Sequence, residues 1–327
     1  MLQSAMDFCK AILSEVSRSF ALTIPMLDKD IYKPVLITYL QDRLLDNFED
    51  EIREDDITLA ERKEMMDEVV KLFKPDNMNI EDSVSRISDY AHLMPEKGLR
   101  KLTTNAGKLR EVYDSLAGEI KGISYKWLQE MNLGMQKYLT AEVRNFAELD
   151  EYCYYVAGTV GGFLTETILF KRELEEKKKD LLLAKYKSAG LFLQKINLIR
   201  DIKKDIENRE KNFWPLEELR VSVDDLLNPK KETKAMQALR SMINDVKDHI
   251  PDLIDYYEAL PDSLAGYKKF FAMNNALGLA TLEVLDNNRK VLYGKKPVKV
   301  SKLRFLSIIK SPEKAFYKGS KLLAGNS

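Results

Sequence analysis

The stretch GLFLQKINLIRDIKKD, residues 190–205, leaves the chain few ways to fold. Asn197, Asp201 and Asp205 recur every four residues inside a run of helical periodicity. On an α-helix each such step rises about 6 Å and turns the chain slightly past one revolution, so the three side chains share a row. Leu191, Leu193, Ile196, Leu198, Ile199 and Ile202 crowd much of the remaining surface. Carboxylates aligned beside so much apolar surface repel one another and are poorly solvated. The stretch therefore predicts a helix packed on most sides, with something cationic in front of its acidic row.

The pattern occurs twice. In YLQDRLLDNFEDE, residues 39–51, Asp42, Asp46 and Asp50 again step by four, and Glu49 neighbours Asp46 at i+3. Tyr39 and Arg43 lie on the adjoining part of the same predicted helix. One aspartate row is usually a solvated stripe; two, on helices of such similar make-up, point to bound ions. Carboxylates on two facing helices bind hard divalent ions, and Mg2+ keeps positions open for phosphate oxygens. Arg18, Arg43 and Arg200 are suited to binding the same phosphates. The segment SRSF at 17–20 adds two hydroxyls and an arginine beside an aromatic ring. Together these groups describe a site where a diphosphate departs and apolar walls shelter the carbocation left behind.

Composition narrows the class. The chain has 327 residues, 45% apolar and 32% charged, enough to bury a core. Lys+Arg and Asp+Glu both number 52, so no global field favours nucleic acid. With only 14 Gly and 10 Pro, and Leu, Lys, Glu and Ala abundant, the expectation is an all-α protein forming one domain over residues 1–327. Helices are expected near 2–20 and 32–51, then one ending before Pro75 and one running to about Met94, and further ones near 97–121, 124–147, 148–172, 179–208, 232–260, 263–291 and 301–310. Two cysteines, Cys9 and Cys153, and two lone histidines, His92 and His249, make neither a disulfide framework nor a zinc site; reduced cytoplasm fits. No segment reaches the roughly 18 apolar residues of a membrane span, and no secretory signal opens the chain. The lysine-rich tail after Lys299 suits peripheral contact with a membrane surface.

Taken together, the motifs resemble the squalene/phytoene synthase family. SRSF at 17–20, YLxxRxLDxxED over 39–50, YCYYVAGTVG at 152–161, GLFLQKINLIRD at 190–201 and FWP at 213–215 stand in the family's order. The resemblance runs from Ser17 to about Lys302. It implies an all-α isoprenoid synthase fold, a single helical bundle around a central active-site cavity. It implies head-to-head condensation of two farnesyl diphosphates through presqualene diphosphate, then NADPH-dependent reduction to squalene. A dehydrosqualene or phytoene synthase would share the first step without the reduction, and a non-catalytic helical assembly protein is the remote alternative.

By position, the resemblance puts Mg2+ (or Mn2+ in its place) on Asp46, Glu49 and Asp50, and again on Asp201 and Asp205. Ser17, Arg18, Ser19, Arg43, Asn197 and Arg200 would bind diphosphate. Tyr152 and Tyr39 would lie near the proton removed as the cyclopropane closes. Phe20, Val156, Ala157, Gly158, Val160, Gly161, Leu193, Gln194, Phe270, Met273 and Asn274 would line the prenyl pocket. The small residues among them suit close helix packing equally well. The basic run KKPVKVSK resembles a segment of the family, which implies that Lys299, Ser301 and Lys302 would hold NADPH; no GxGxxG motif is present. Two departures stand out: Lys204 sits inside DIKKD, and Asn274-Asn275 replaces the family's usual Pro-Gln. The oligomeric state stays open, and a monomer is compatible.

Overall fold

A computed structural model describes residues 2–209 and 211–324, with backbone alone for 208 and 209. All regular structure among them is helical, as composition predicts. The helices begin with α1 (Leu2–Val16), α2 (Arg18–Thr23), α3 (Lys29–Asp46), α4 (Leu59–Leu72), α5 (Ile80–Asp89) and α6 (Lys97–Thr104). Next come α7 (Ala106–Asp114), α8 (Gly118–Tyr138), α9 (Phe146–Cys153), α10 (Thr159–Lys171), α11 (Glu176–Arg209), α12 (Leu216–Leu219) and α13 (Val223–Leu227). The last are α14 (Glu232–Lys247), α15 (Ile250–Ala259), α16 (Ala265–Leu285), α17 (Lys290–Tyr293), α18 (Lys302–Lys310) and α19 (Pro312–Ala324). Two π turns interrupt the pattern, Asn47–Glu51 directly after α3 and Tyr154–Gly158 between α9 and α10.

Several boundaries differ from expectation for local reasons. The helix expected over 2–20 stops at Val16, because Ser17 is extended (φ −153°) and caps α2 by accepting from the Phe20 amide at 3.1 Å. The segment 97–121 breaks at Asn105, whose side-chain amide folds back on the Lys101 carbonyl at 2.9 Å. The segment 232–260 divides at Asp248–His249, just ahead of Pro251, which sits in the first turn of α15.

The chain forms two compact units, Met1–Thr140 with Phe163–Glu173, and Ala141–Gly162 with Leu174–Ser327. In the first, α3 packs against α1, α4, α7 and α8. Its Leu36, Ile37, Leu40, Leu44 and Leu45 are fully buried. Amid them Thr38 and Ser124 share a hydrogen bond of 2.9 Å, and Ser124 donates to Gln41 at 2.6 Å. Those buried polar contacts set the register of α3 on α8, the helix that brings the first acidic motif to its place.

In the second unit α11 is the axis, packed by α9, α14, α15, α16 and the π turn at Tyr154–Gly158. Backbones meet closely here: a Cβ on Gly190 would lie 2.3 Å from the Ala157 carbonyl oxygen, and one on Gly161 2.4 Å from that of Tyr186. Glycine is the residue that permits such an approach. A fully buried ammonium, Lys195 of α11, pairs with Asp150 of α9 and, at 2.7 Å, with Asp245 of α14. It also lies 3.0 Å from Nε2 of His249. Burial and then Lys195 push the His249 pKa down to about 4, so the ring is neutral and accepts from the ammonium.

Candidate active site

In the first unit the SRSF and YLxxRxLDxxED segments come together. Phe20 packs on Tyr39, ring centroids 4.8 Å apart, and Ser17 hydrogen-bonds the Tyr39 hydroxyl. Burial raises the Tyr39 pKa, with the Ser17 bond and Arg43 acting against it. Arg18 and Ser19 are exposed. Arg43 pairs with Asp46, one helical step on, and with Glu51 at 2.8 Å. Asp42 is half-buried, and burial followed by the charge of Asp46 lifts its pKa to about 8.

The straight row expected for Asp42, Asp46 and Asp50 needs correction. α3 ends at Asp46, and Glu49 and Asp50 belong to the π turn. A π turn holds more residues than an α turn, so four-residue spacing no longer keeps Asp50 in line with Asp42. Insertions of this kind are frequent at functional sites, and the second π turn among the described residues, Tyr154–Gly158, begins two residues after Tyr152.

In the second unit α11 is a regular α-helix through both DIKKD aspartates, so the row of Asn197, Asp201 and Asp205 stands as read. Asn197 is exposed, while Asp201 and Asp205 are half-buried. Arg200 closes on its neighbour Asp201, with Nε at 3.0 Å and a second, closer bond from Nη2. That bond is the main cause of the raised Arg200 pKa. Lys204 points to solvent. Tyr152 is buried and lies flat on Phe213, centroids 4.2 Å apart and planes 10° apart. Next to it, fully buried Trp214 donates its indole N–H to the Leu198 carbonyl at 3.1 Å. The FWP segment is therefore fastened to α11 one turn before Asp201, and Phe213 holds the Tyr152 ring. Sequence reading took FWP as a motif and missed this stacking.

Among the remaining candidates, Gly158 is buried and Val156, Ala157, Val160 and Gly161 are half-buried beside α11. Leu193 and Gln194 are half-buried on α11 itself. Phe270 and Met273 are core residues of α16. Asn274 and Asn275 donate their amides to the carbonyls of Phe270 and Phe271, both at 2.9 Å, and α16 runs through them unbroken. Lys299 and Lys302 are exposed, whereas the Ser301 hydroxyl caps α18 by accepting from the Arg304 amide at 3.2 Å.

Among the described residues no three His, Cys, Asp or Glu side chains converge as a metal cage. Mg2+ is commonly held by one or two carboxylates, with phosphate and water oxygens completing the octahedron. Asp46 with the π-turn carboxylates, and Asp201 with Asp205, are donors of that kind.

The strand-free architecture of the described residues is the all-α isoprenoid synthase fold. A solved structure of TcSQS with the ligand BPH1237 aligns at TM-score 0.82, with 27% identity over 98% of this chain and 90% of that one. A dehydrosqualene synthase complex aligns at 0.64 with 19% identity, over 97% of this chain and 98% of that one, a likeness of fold alone. The chain belongs to the squalene/phytoene synthase family, whose model matches residues 13–304. The squalene synthase of Bos taurus is 30% identical over 90% of this chain and 66% of its own length. A protein named inactive squalene synthase 2 of Arabidopsis thaliana is 32% identical over 90% of this chain and 68% of its own. The chain thus spans about two thirds of the curated relatives it matches.

Proposed function

We propose that this chain condenses two farnesyl diphosphates head to head through presqualene diphosphate and, with NADPH, reduces the product to squalene. The observation that carries the reading is the guanidinium closed on the leading aspartate of each acidic motif, Arg43 on Asp46 and Arg200 on Asp201. A hydrolytic or purely structural bundle has no need of two such charge-matched motifs; a protein that receives two diphosphates does. Mg2+ held by Asp46, Glu49 and Asp50, and by Asp201 and Asp205, would neutralise the departing pyrophosphate. Arg43 and Arg200 bind its oxygens, helped by Arg18, Ser17, Ser19 and Asn197. Tyr152, stacked on Phe213, and Tyr39 are the tyrosines proposed to serve the proton lost on cyclopropane closure. A phenol of pKa about 10 is a poor base unless a neighbour accepts its proton, and released pyrophosphate is that neighbour. Lys299 and Lys302 bind the NADPH phosphates, with Ser301 contributing less because its hydroxyl already caps a helix. An apolar product favours peripheral contact with a membrane.

A dehydrosqualene or phytoene synthase is the second reading, favoured by the polar Asn274-Asn275 pair in the α16 segment expected to serve the second half-reaction. Incubation of the purified protein with farnesyl diphosphate and Mg2+, with and without NADPH, decides between them. Squalene formed only with NADPH is the expected result. Dehydrosqualene in the presence of NADPH establishes the second reading, phytoene is its product only when geranylgeranyl diphosphate is the substrate offered, and failure to consume either diphosphate sinks both.

A further inference from the structure

Arg62 is a buried guanidinium, 5% exposed, whose side-chain hydrogen bonds among the described residues go to backbone carbonyls. Its Nη1 donates to the carbonyls of Phe48 at 2.7 Å and Glu49 at 3.1 Å. Its Nη2 donates to those of Ile52 at 2.8 Å and Arg53 at 3.4 Å. All four carbonyls belong to the π turn or to the residues just after it, where the end of a helix leaves acceptors without intrahelical partners. A planar fork of five N–H groups is the one side chain that can serve several of them at once. The aim of Arg62 is set locally. Thr58 and Glu61 form a capping box that starts α4, and the Arg62 amide closes the first turn on the Thr58 carbonyl at 2.9 Å. Desolvation lowers the Arg62 pKa, and Glu49, Glu54 and Asp50 offset it, so the ion faces the acidic turn electrostatically as well.

We propose that Arg62 is the positioning residue of the first acidic motif: by clamping the backbone from Phe48 to Arg53 it holds the π turn that aims Glu49 and Asp50. This rests on the reading of that motif as a divalent-metal site. Lysine offers three donors at a single point and cannot span the four carbonyls, so Arg62→Lys frees the turn while keeping the charge. A matched control exists in the same unit. Arg110 is 4% exposed and donates to the carbonyls of Leu72 and, at 2.9 Å, Lys74, away from the motif, and it also pairs with Asp114 at 2.8 Å.

The test is Mn2+ binding in the presence of inorganic pyrophosphate, followed by electron paramagnetic resonance on wild type, Arg62→Lys and Arg110→Lys. Residues that orient metal ligands cost about 10- to 100-fold in metal affinity when altered. Arg62→Lys is expected to weaken Mn2+ at least about tenfold, and Arg110→Lys to leave it within about twofold. Should Arg62→Lys fail to fold, Thr58→Ala, which loosens the start of α4, is expected to shift Mn2+ affinity the same way by a smaller factor. Unchanged affinity in Arg62→Lys, or equal losses in both arginine variants, overturns the assignment. Wild type that binds no Mn2+ overturns the metal reading itself, and the clamp with it.

Discussion

Asp46 and Asp42 stand one helical turn apart on α3 and meet opposite fates. Asp46 has Arg43 beside it, whereas Asp42 sits half-buried with Asp46 as its like-charged neighbour. On the proposed function, removing Asp46 strips the motif of a carboxylate paired with Arg43 and leaves leaving-group charge uncompensated. Asp46→Ala is expected to slow pyrophosphate release by several kcal/mol, on the order of a thousandfold, with the helical circular-dichroism signal intact. Near-normal release refutes the role. For Asp42, burial and Asp46 raise the native pKa to about 8, against about 3.9 in an unfolded chain. The native state therefore grips the proton more tightly, and stability is full below the unfolded pKa and lost as pH rises through the native one. Asp42→Asn escapes that loss. Without divalent ions, the unfolding free energies of variant and wild type, read from urea titrations, should agree near pH 4 and diverge up to about pH 8, the variant more stable by a few kcal/mol. A constant difference across that range excludes this titration.

At the scale of elements, close backbone contact between α11 and the π turn at Tyr154–Gly158 joins the second acidic motif to the segment that follows Tyr152. A methyl on Gly190 would meet the oxygen and carbon of Ala157 and the nitrogen of Gly158 at 2.3, 2.5 and 2.7 Å, all backbone atoms that no rotamer change can move. Gly190→Ala should cost about 1–3 kcal/mol or more, read as a lower denaturation midpoint, with loss of activity as α11 is pushed away. A midpoint equal to wild type would show that the helices separate freely. Much of this arrangement was legible in sequence because it is local: the period of 3.6 marked α11, and small residues marked the contact. The π turn of the first motif was not, since DNFEDE keeps helical spacing whether wound as α or π. Lys195 was hidden for another reason. A lysine in an apolar run reads as surface, and its partners Asp150, Asp245 and His249 lie far away in the chain, brought together only by tertiary packing. Arg62 was silent on the same ground, its partners being backbone carbonyls rather than side chains with a sequence signature.

Charge is balanced over the whole molecule yet segregated within it. From Lys295 to Lys321 the chain carries Lys295, Lys296, Lys299, Lys302, Arg304, Lys310, Lys314, Lys318 and Lys321 against Glu313 alone, although Lys+Arg and Asp+Glu total 52 each. Among the described residues no helix is long and apolar enough to cross a membrane. On α18 and α19, however, Leu303 is 82% exposed, Leu306 50% and Leu322 47%, set among these lysines. Each lysine near an anionic leaflet contributes about 1 kcal/mol, and the leucines add burial in the headgroup region; neither alone holds a protein on a bilayer. The protein should therefore co-sediment with vesicles containing phosphatidylserine and far less with phosphatidylcholine alone. Salt of about 0.5 M should release it, because screening shortens the reach of surface charge to a few ångströms. Leu303→Glu with Leu306→Glu should weaken binding about tenfold or more while leaving presqualene diphosphate formation in detergent unchanged. Equal binding to neutral vesicles, or binding indifferent to the leucine changes, removes this surface from the proposed membrane contact.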